Sequence, residues 1–225
     1  MAVGTSFVST QDAARALGVT VQHVRRLADS GGLTRVARGL IDRDSLESYI
    51  AERHGGRTRV WAEHTAWAAV AMLSGVHVDW LGPTQTSRLR ASLRAITDPA
   101  DLVTQTRDRA SIRTYQGHPS ALRRLLDELV TIDTTGLGLV GAASDSVDGY
   151  LDVDRVDSAV GFFGLQADPS GNVTLRATGF DLGVVRDLAV HGVVLTALDA
   201  ATSRDPRERG VGERALVGAL DRFRR

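Results

Sequence analysis

The chain has 225 residues, 43% of them hydrophobic and 24% charged, a length and balance that fit two globular domains and exclude a bulk-disordered chain. Formal net charge is zero, yet residues 1–130 hold 17 Arg against 13 Asp and Glu, while residues 131–225 hold 10 against 14, so only the first part suits a polyanionic partner. There is no Cys, which excludes disulfides, thiolate catalysis and Cys-ligated zinc or iron–sulfur centres.

Ser9–Leu17 (STQDAARAL) opens with two hydroxyl residues able to cap a helix, and Ala13, Ala14 and Leu17 then fall on one face. Gly18 supplies a break where a positive φ is cheap. Thr20 is a second N-cap, with Val21, Val24, Leu27 and Ala28 as the next apolar stripe and Ser30, Gly31 and Gly32 as its stop. Leu33–Leu40 (LTRVARGL) reads as a short β-wing. Asp42 or Asp44 caps a third helix through Leu46, Tyr49 and Ile50 to about Arg53, and His54–Thr58 (HGGRT) reads as a linker. The N-terminal domain is expected over residues 1–54 and a C-terminal domain over 60–225.

The C-terminal domain mixes helices and short strands. Helices are expected at Ala62–Leu73, Gln85–Ile96 and Pro119–Leu129, the last with Leu122, Leu125, Leu126 and Leu129 on one face. Strands are expected at Ser111–Tyr115, Leu137–Ala142 and Val173–Ala177. Asp152 is placed as the cap of a helix through Val156, Val160 and Phe163, and Asp168–Asn172 (DPSGN) as a turn. Two further helices, Val185–Ala201 and Pro206–Phe223, close the chain. The expected fold class is α+β: a winged helix-turn-helix followed by a larger mixed α/β domain.

A helix-turn-helix needs a small residue in the first helix, a Gly in the turn and inward apolar contacts on both sides. Ala14, Gly18, and Leu17, Val19, Val24 and Leu27 occupy those positions. The second helix then enters the major groove of double-stranded DNA, leading with its N-terminal residues. Its outward side carries Gln22, His23, Arg25 and Arg26, donors and acceptors suited to base edges and phosphates. The helix N-terminus at Thr20 favours a phosphate, and Arg35 and Arg38 on the wing add backbone contacts.

The stretch STQDAARALGVTVQHVRRLADSGGLTRVARGLIDRDSLESYI resembles the winged DNA-binding domains of the MerR and excisionase-like group, whose core reads xAAxxLGVxxxxVRxLxxxG. The wing here is short (VARGL), and no heptad marks a dimerisation coiled coil. Gly149–Thr178 and the later VLTALDAATSRDPRERGVGERAL resemble the C-terminal region of AbiEi-type antitoxins. That resemblance implies an autoregulating antitoxin that represses its own promoter and counters a nucleotidyltransferase-like toxin. It also implies that Asp199 and residues 203–209 form a structural helix–cap–helix junction and are not catalytic; the missing Cys, metal motif and nucleophile argue separately against an enzyme. The alternative is a MerR- or excisionase-like transcription or recombination factor whose C-terminal domain dimerises or senses a ligand.

Other chemistry finds little footing. Gly136–Gly141 fits GxGxxG, but AASDSVDGY follows where a phosphate-binding helix would start, so a glycine-rich buried strand is the better reading. Asp152, Asp154 and Asp157 suit a cap and a helix dipole better than a metal. The six His lack HExxH and i, i+4 spacing, and no GxSxG is present. Glu63 and His64 are expected on an exposed helix turn, and Trp61, Trp67 and Trp80 in the core or at the interdomain joint. No cofactor is expected. The most apolar stretch, Trp67–Leu81, carries His77 and Asp79 and is shorter than a bilayer span; with no basic-then-apolar leader, a cytoplasmic protein is expected. Homodimers or cooperative monomers would suit a two-fold operator.

Overall fold

The computed structural model describes residues 7–29, 32–43, 45, 46, 49, 59–139, 146–203 and 205–225. Contacts divide the chain into Met1–Thr58 and Arg59–Arg225. The fold is mixed α+β, with a small helix-and-strand region followed by a larger α/β region.

In the first unit, β1 (Phe7–Ser9) leads directly into α1 (Thr10–Leu17), because the Ser9 hydroxyl accepts the Asp12 N–H at 3.1 Å and caps the helix. Gly18 ends α1 at φ 63°, a left-handed conformation that a side chain resists, and the Val19 N–H returns to the Ala14 carbonyl. Thr20 caps α2 (Val21–Asp29), its hydroxyl accepting the His23 N–H at 3.3 Å. β2 (Arg35–Ala37) and β3 (Leu40–Asp42) form the wing hairpin, and β1 pairs with β3 to give an antiparallel sheet in the order β1-β3-β2. The β1 strand lay outside the sequence reading. Ala13, Val24, Leu33 and Ile41 are buried at the centre, with Ala14 and Leu46 beside them. Asp42 caps the third helix by accepting the Ser45 N–H at 2.8 Å; Arg43, Ser45, Leu46 and Tyr49 are helical. Ser30, Gly31, Asp44, Ile50–Arg53 and the HGGRT linker lie outside the described residues.

The second unit opens with α3 (Glu63–Leu73), α4 (Pro83–Ala95) and α5 (Pro99–Gln105). Next come β4 (Ser111–Gln116), α6 (Pro119–Leu126), β5 (Val130–Thr131) and β6 (Val147–Asp152). The chain continues through α7 (Val156–Phe163), β7 (Gln166–Ala167) and β8 (Val173–Thr178), and ends with α8 (Leu182–Val190), α9 (Val193–Ala201) and α10 (Pro206–Arg224). The sheet order is β5-β6-β8-β4-β7, parallel only between β6 and β8.

Alternation along β8 separates two layers. Val173, Leu175 and Ala177 join Val147, Leu151, Leu122, Leu125 and Val156 in one apolar cluster. The intervening Arg176 and Thr178 meet the other layer, where Trp67, Leu195, Leu198 and Leu216 are buried. There Gly212 permits close packing of α10 on α9: a Cβ at this position would stand 2.5 Å from the Ala197 carbonyl oxygen. The three tryptophans pack this second core: Trp67 is fully buried, and Trp61 and Trp80 pack against it half-buried.

Several expectations need correction. Leu137–Ala142 does not open as a strand. Asp133 accepts the Thr135 N–H at 2.8 Å and its hydroxyl at 2.6 Å, winding a 3₁₀ turn over Thr135–Leu137. Residues 140–142, including the last Gly of the GxGxxG stretch, lie outside the described residues. The buried strand is instead Val147–Asp152, whose Asp and Gly hide its strand character. Helix α6 stops at Leu126, which is 41% exposed, so Leu126 leaves the expected apolar face. The continuous helix expected over Val185–Ala201 breaks at His191 and Gly192 into α8 and α9. α5 and the short strands β5 and β7 were not anticipated. Glu63 is not a free helix turn: its Oε1 accepts the Thr178 hydroxyl at 2.6 Å and the Gly179 N–H at 2.8 Å.

Asp199 lies in the last turn of α9, and Asp205, within residues 203–209, caps α10, so the two helices meet at a capped junction. Asp199 Oδ1 accepts from Arg109 Nη2 at 2.5 Å and from the Tyr150 hydroxyl at 2.9 Å, and lies 2.9 Å from Arg176 Nη1. Arg176 also forms a bidentate pair with Asp148 at 2.7 and 2.8 Å. Burial opposes the charge on both guanidinium groups, but for Arg109 the Asp199 carboxylate outweighs it, and for Arg176 Asp199 and Asp148 do; both pKa values stand raised. Burial pushes the Tyr150 phenol up as well, so it donates as a neutral hydroxyl. Removing Asp199 leaves the buried Arg109 without a carboxylate and Arg176 with Asp148 alone. Asp199→Ala is expected to lower stability by about 3–5 kcal/mol in urea denaturation; a loss below about 1 kcal/mol would show that the cluster is not central to this unit.

Candidate nucleic-acid interface

Helix α2 is amphipathic because Val21, Val24, Leu27 and Ala28 fall on one side, with Val24 fully buried and the other three half-buried against the same core. The opposite side presents Gln22, Arg25, Arg26 and Asp29, all exposed and spaced i, i+3, i+4, i+7. His23 is half-buried at the margin of that stripe, so it is less accessible than its neighbours. Thr20 is exposed at the helix start, where its hydroxyl already serves as the cap. Unpaired N–H groups of the first helical turn and the positive end of the helix dipole face outward there.

The two wing arginines differ. Arg38 is exposed in the turn between β2 and β3. Arg35 points back onto α2: its Nη2 lies 2.6 Å from Asp29 Oδ1 and 3.4 Å from the Arg25 carbonyl oxygen. Arg15, on α1, pairs with Asp12 at 3.0 Å. Among the described residues, the side chains of Arg25, Arg26 and Arg38 make no ion pair, which leaves their charge available to a ligand. The structure therefore gathers Gln22, Arg25 and Arg26 on one outward stripe with Thr20 at its head, places His23 beside it, and holds Arg35 in an internal contact.

Two supporting residues escaped the sequence reading. The Thr10 N–H and hydroxyl both donate to the Gly39 carbonyl at 2.8 Å, tying the wing turn to the start of α1. From the sequence, Thr10 is one of two hydroxyl residues able to cap the helix, and its tie to the wing is not visible there. Asp29 forms the other anchor, and its opposite charge to Arg35 across the Gly31–Gly32 break was the available signal.

Among the described residues, no group of three or more His, Asp or Glu could hold a metal ion; Asp152 instead caps a 3₁₀ turn by accepting the Asp154 N–H at 2.8 Å. Among the described residues, no helix is long and apolar enough to cross a membrane. An open groove of about 610 Å³ runs between the edge strand β5 and α8, lined by Val130, Ile132, Asp133, Arg186, Val190 and Thr196.

Residues 4–40 match the family model described as "Transcriptional regulator, AbiEi antitoxin". The match spans α1, the turn, α2 and the wing as far as Leu40, and does not enter the second unit. Comparison with curated proteins and with solved structures gives no match.

The angle between α1 and α2 rests on Gly18. Gly18→Ala forces a side chain into left-handed backbone although no atom lies within 4 Å to clash, whereas Asn tolerates that conformation. Thermal unfolding followed by circular dichroism is expected to show Gly18→Ala about 1 kcal/mol less stable than the wild type, with Gly18→Asn between the two. Equal stability of the Ala and Asn variants would mean that the turn does not depend on this backbone conformation.

Proposed function

We propose that the chain is a sequence-specific DNA-binding repressor that serves as the antitoxin of a toxin–antitoxin pair. The observation that carries this reading is the outward stripe of Gln22, Arg25 and Arg26 on α2, which falls within the stretch matching a family of antitoxin transcriptional regulators. In this reading α2 lies in the major groove of the protein's own promoter. Arg25 or Arg26 donates to a guanine edge, and Gln22 pairs with an adenine edge. The N-terminus of α2 at Thr20 binds one phosphate and Arg38 another. His23 contacts the groove wall.

The second unit, with its own core and its acidic C-terminal part, is the region that counters a nucleotidyltransferase-like toxin. The protein acts by binding and not by turnover. Repression then follows from occupancy: each base pair mismatched in the operator costs about 1–3 kcal/mol, enough for the protein to prefer its own promoter.

The test is a gel shift with duplex DNA from the region upstream of the gene. The wild type is expected to shift this DNA, and Arg25→Ala with Arg26→Ala to weaken binding about 10- to 100-fold. The logarithm of affinity should fall linearly with the logarithm of salt concentration, by about 0.9 per phosphate contact. An unchanged shift in the double variant removes the DNA-reading role of α2. Co-expression with the neighbouring gene addresses the antitoxin half: that gene alone should arrest growth and this protein should restore it. A harmless neighbour, or arrest that this protein does not relieve, would leave a transcription or recombination factor of the excisionase type.

A further inference from the structure

We infer that Arg35 is not a phosphate ligand but a positioning residue that clamps the wing to the reading helix and cancels the carboxylate on its outward stripe; this rests on the DNA-binding reading of α2. Asp29 is exposed in line with Gln22, Arg25 and Arg26, and it is the sole acidic residue of α2. Left alone, its charge would face the same phosphates that Arg25 and Arg26 are placed to meet. Arg35 Nη2 sits 2.6 Å from Asp29 Oδ1, and the same nitrogen reaches the Arg25 carbonyl oxygen at 3.4 Å.

The base of the clamp is well held. Arg35 lies in the exposed strand β2 opposite Ile41 of β3, a residue only 1% exposed, so the strand that carries the guanidinium is held by its pairing with a strand rooted in the core. At the far end of the hairpin, Thr10 pins Gly39 through its N–H and its hydroxyl. Arg35 therefore joins two elements that have no backbone hydrogen bond to each other: the last turn of α2 and the first strand of the wing. A guanidinium that turns inward to a carboxylate and a carbonyl has two of its donors directed away from a phosphate. Arg38, in the turn beyond β2, remains the wing residue available for backbone contact.

A double-mutant cycle on the full chain, read as affinity for the promoter duplex across a salt series, separates a clamp from a phosphate contact. Arg35→Ala is expected to weaken binding about fivefold, as an unscreened Asp29 and a loosened wing disfavour the complex. Asp29→Ala with Arg35→Ala should recover most of that loss, with the salt slope of the wild type. The exchange Asp29→Arg with Arg35→Asp should recover it too.

If Arg35 instead binds a phosphate, the double variant stays as weak as Arg35→Ala and the slope flattens by about 0.9. That result overturns the clamp, as does an Arg35→Ala variant that binds like the wild type. Should Arg35→Ala alone lose its folded circular-dichroism signal, the two paired variants still decide the matter through the slope. Arg25→Ala with Arg26→Ala runs alongside. If it binds as tightly as the wild type, the DNA reading itself has failed; if it loses binding while the cycle shows no coupling, only the clamp has.

Discussion

Asp199 is the carboxylate around which the larger unit is assembled. It draws together four parts of the chain: the 3₁₀ turn bearing Arg109, the strand bearing Tyr150, the strand bearing Arg176, and its own helix. Arg109 and Arg176 are 3% and 7% exposed at the side chain, too buried for water to stabilise their charge. Taking such ions out of water costs several kcal/mol each, so the arrangement holds only if every charge is met. It is met in full. Arg109 and Arg176 are balanced by Asp199 and Asp148, and the neutral Tyr150 hydroxyl bridges Arg109 and Asp199. The 90 residues between Arg109 and Asp199 make this a long-range closure that forms only with the whole unit.

The same cluster explains why the sheet has the register it has. Tyr150 lies opposite Arg176 in the parallel pair of β6 and β8. A slip of one residue would rotate Arg176 onto the face where Val173, Leu175 and Ala177 meet Leu122, Leu125 and Val156. A guanidinium buried there would have no carboxylate to meet, so that register is excluded by far more than the loss of a few contacts. Trp67 continues the polar seam by donating to Thr178, which donates in turn to Glu63, while its ring meets Tyr150 edge-on at 5.4 Å. Both faces of the sheet bury apolar side chains, and one of them adds the charged cluster that specifies position.

These long-range ties are what the amino-acid sequence conceals. In the first unit every signal is local: Ser9 caps three residues ahead, Gly18 turns where it stands, and Thr20 and Asp42 each cap the next helix. Periodicity and caps therefore outline α1, α2 and the wing with little error, and with them the stripe of Gln22, Arg25 and Arg26. They cannot show that Arg35 turns toward Asp29, because that depends on how the hairpin folds back. In the second unit, β6 is built around Asp148 and Gly149, residues whose strand role is created by their partners β5 and β8. Apolar spacing runs unbroken across His191 and Gly192, so a helix pattern alone hides that break. Asp199 looks like any helical acid until Arg109 and Arg176 are seen against it.

The reading helix is built with a narrow margin of charge, and this shapes how the proposed repressor must work. Arg15 is engaged by Asp12 and Arg35 by Asp29, so the first unit commits two of its cations internally. Among the described residues, Arg25, Arg26 and Arg38 would add about 2.7 to the salt slope if all three met phosphates, small beside the slopes of repressors that hold DNA through many phosphates. A small slope means little non-specific affinity, and a first unit that does not linger on random sequence. It also means that one copy grips its operator lightly, since phosphate neutralisation supplies much of the binding free energy. Two copies on adjacent half-sites would tighten occupancy, because linked binding multiplies their separate affinities. On this reading, repression rises steeply with antitoxin concentration and relaxes as soon as the second copy is lost.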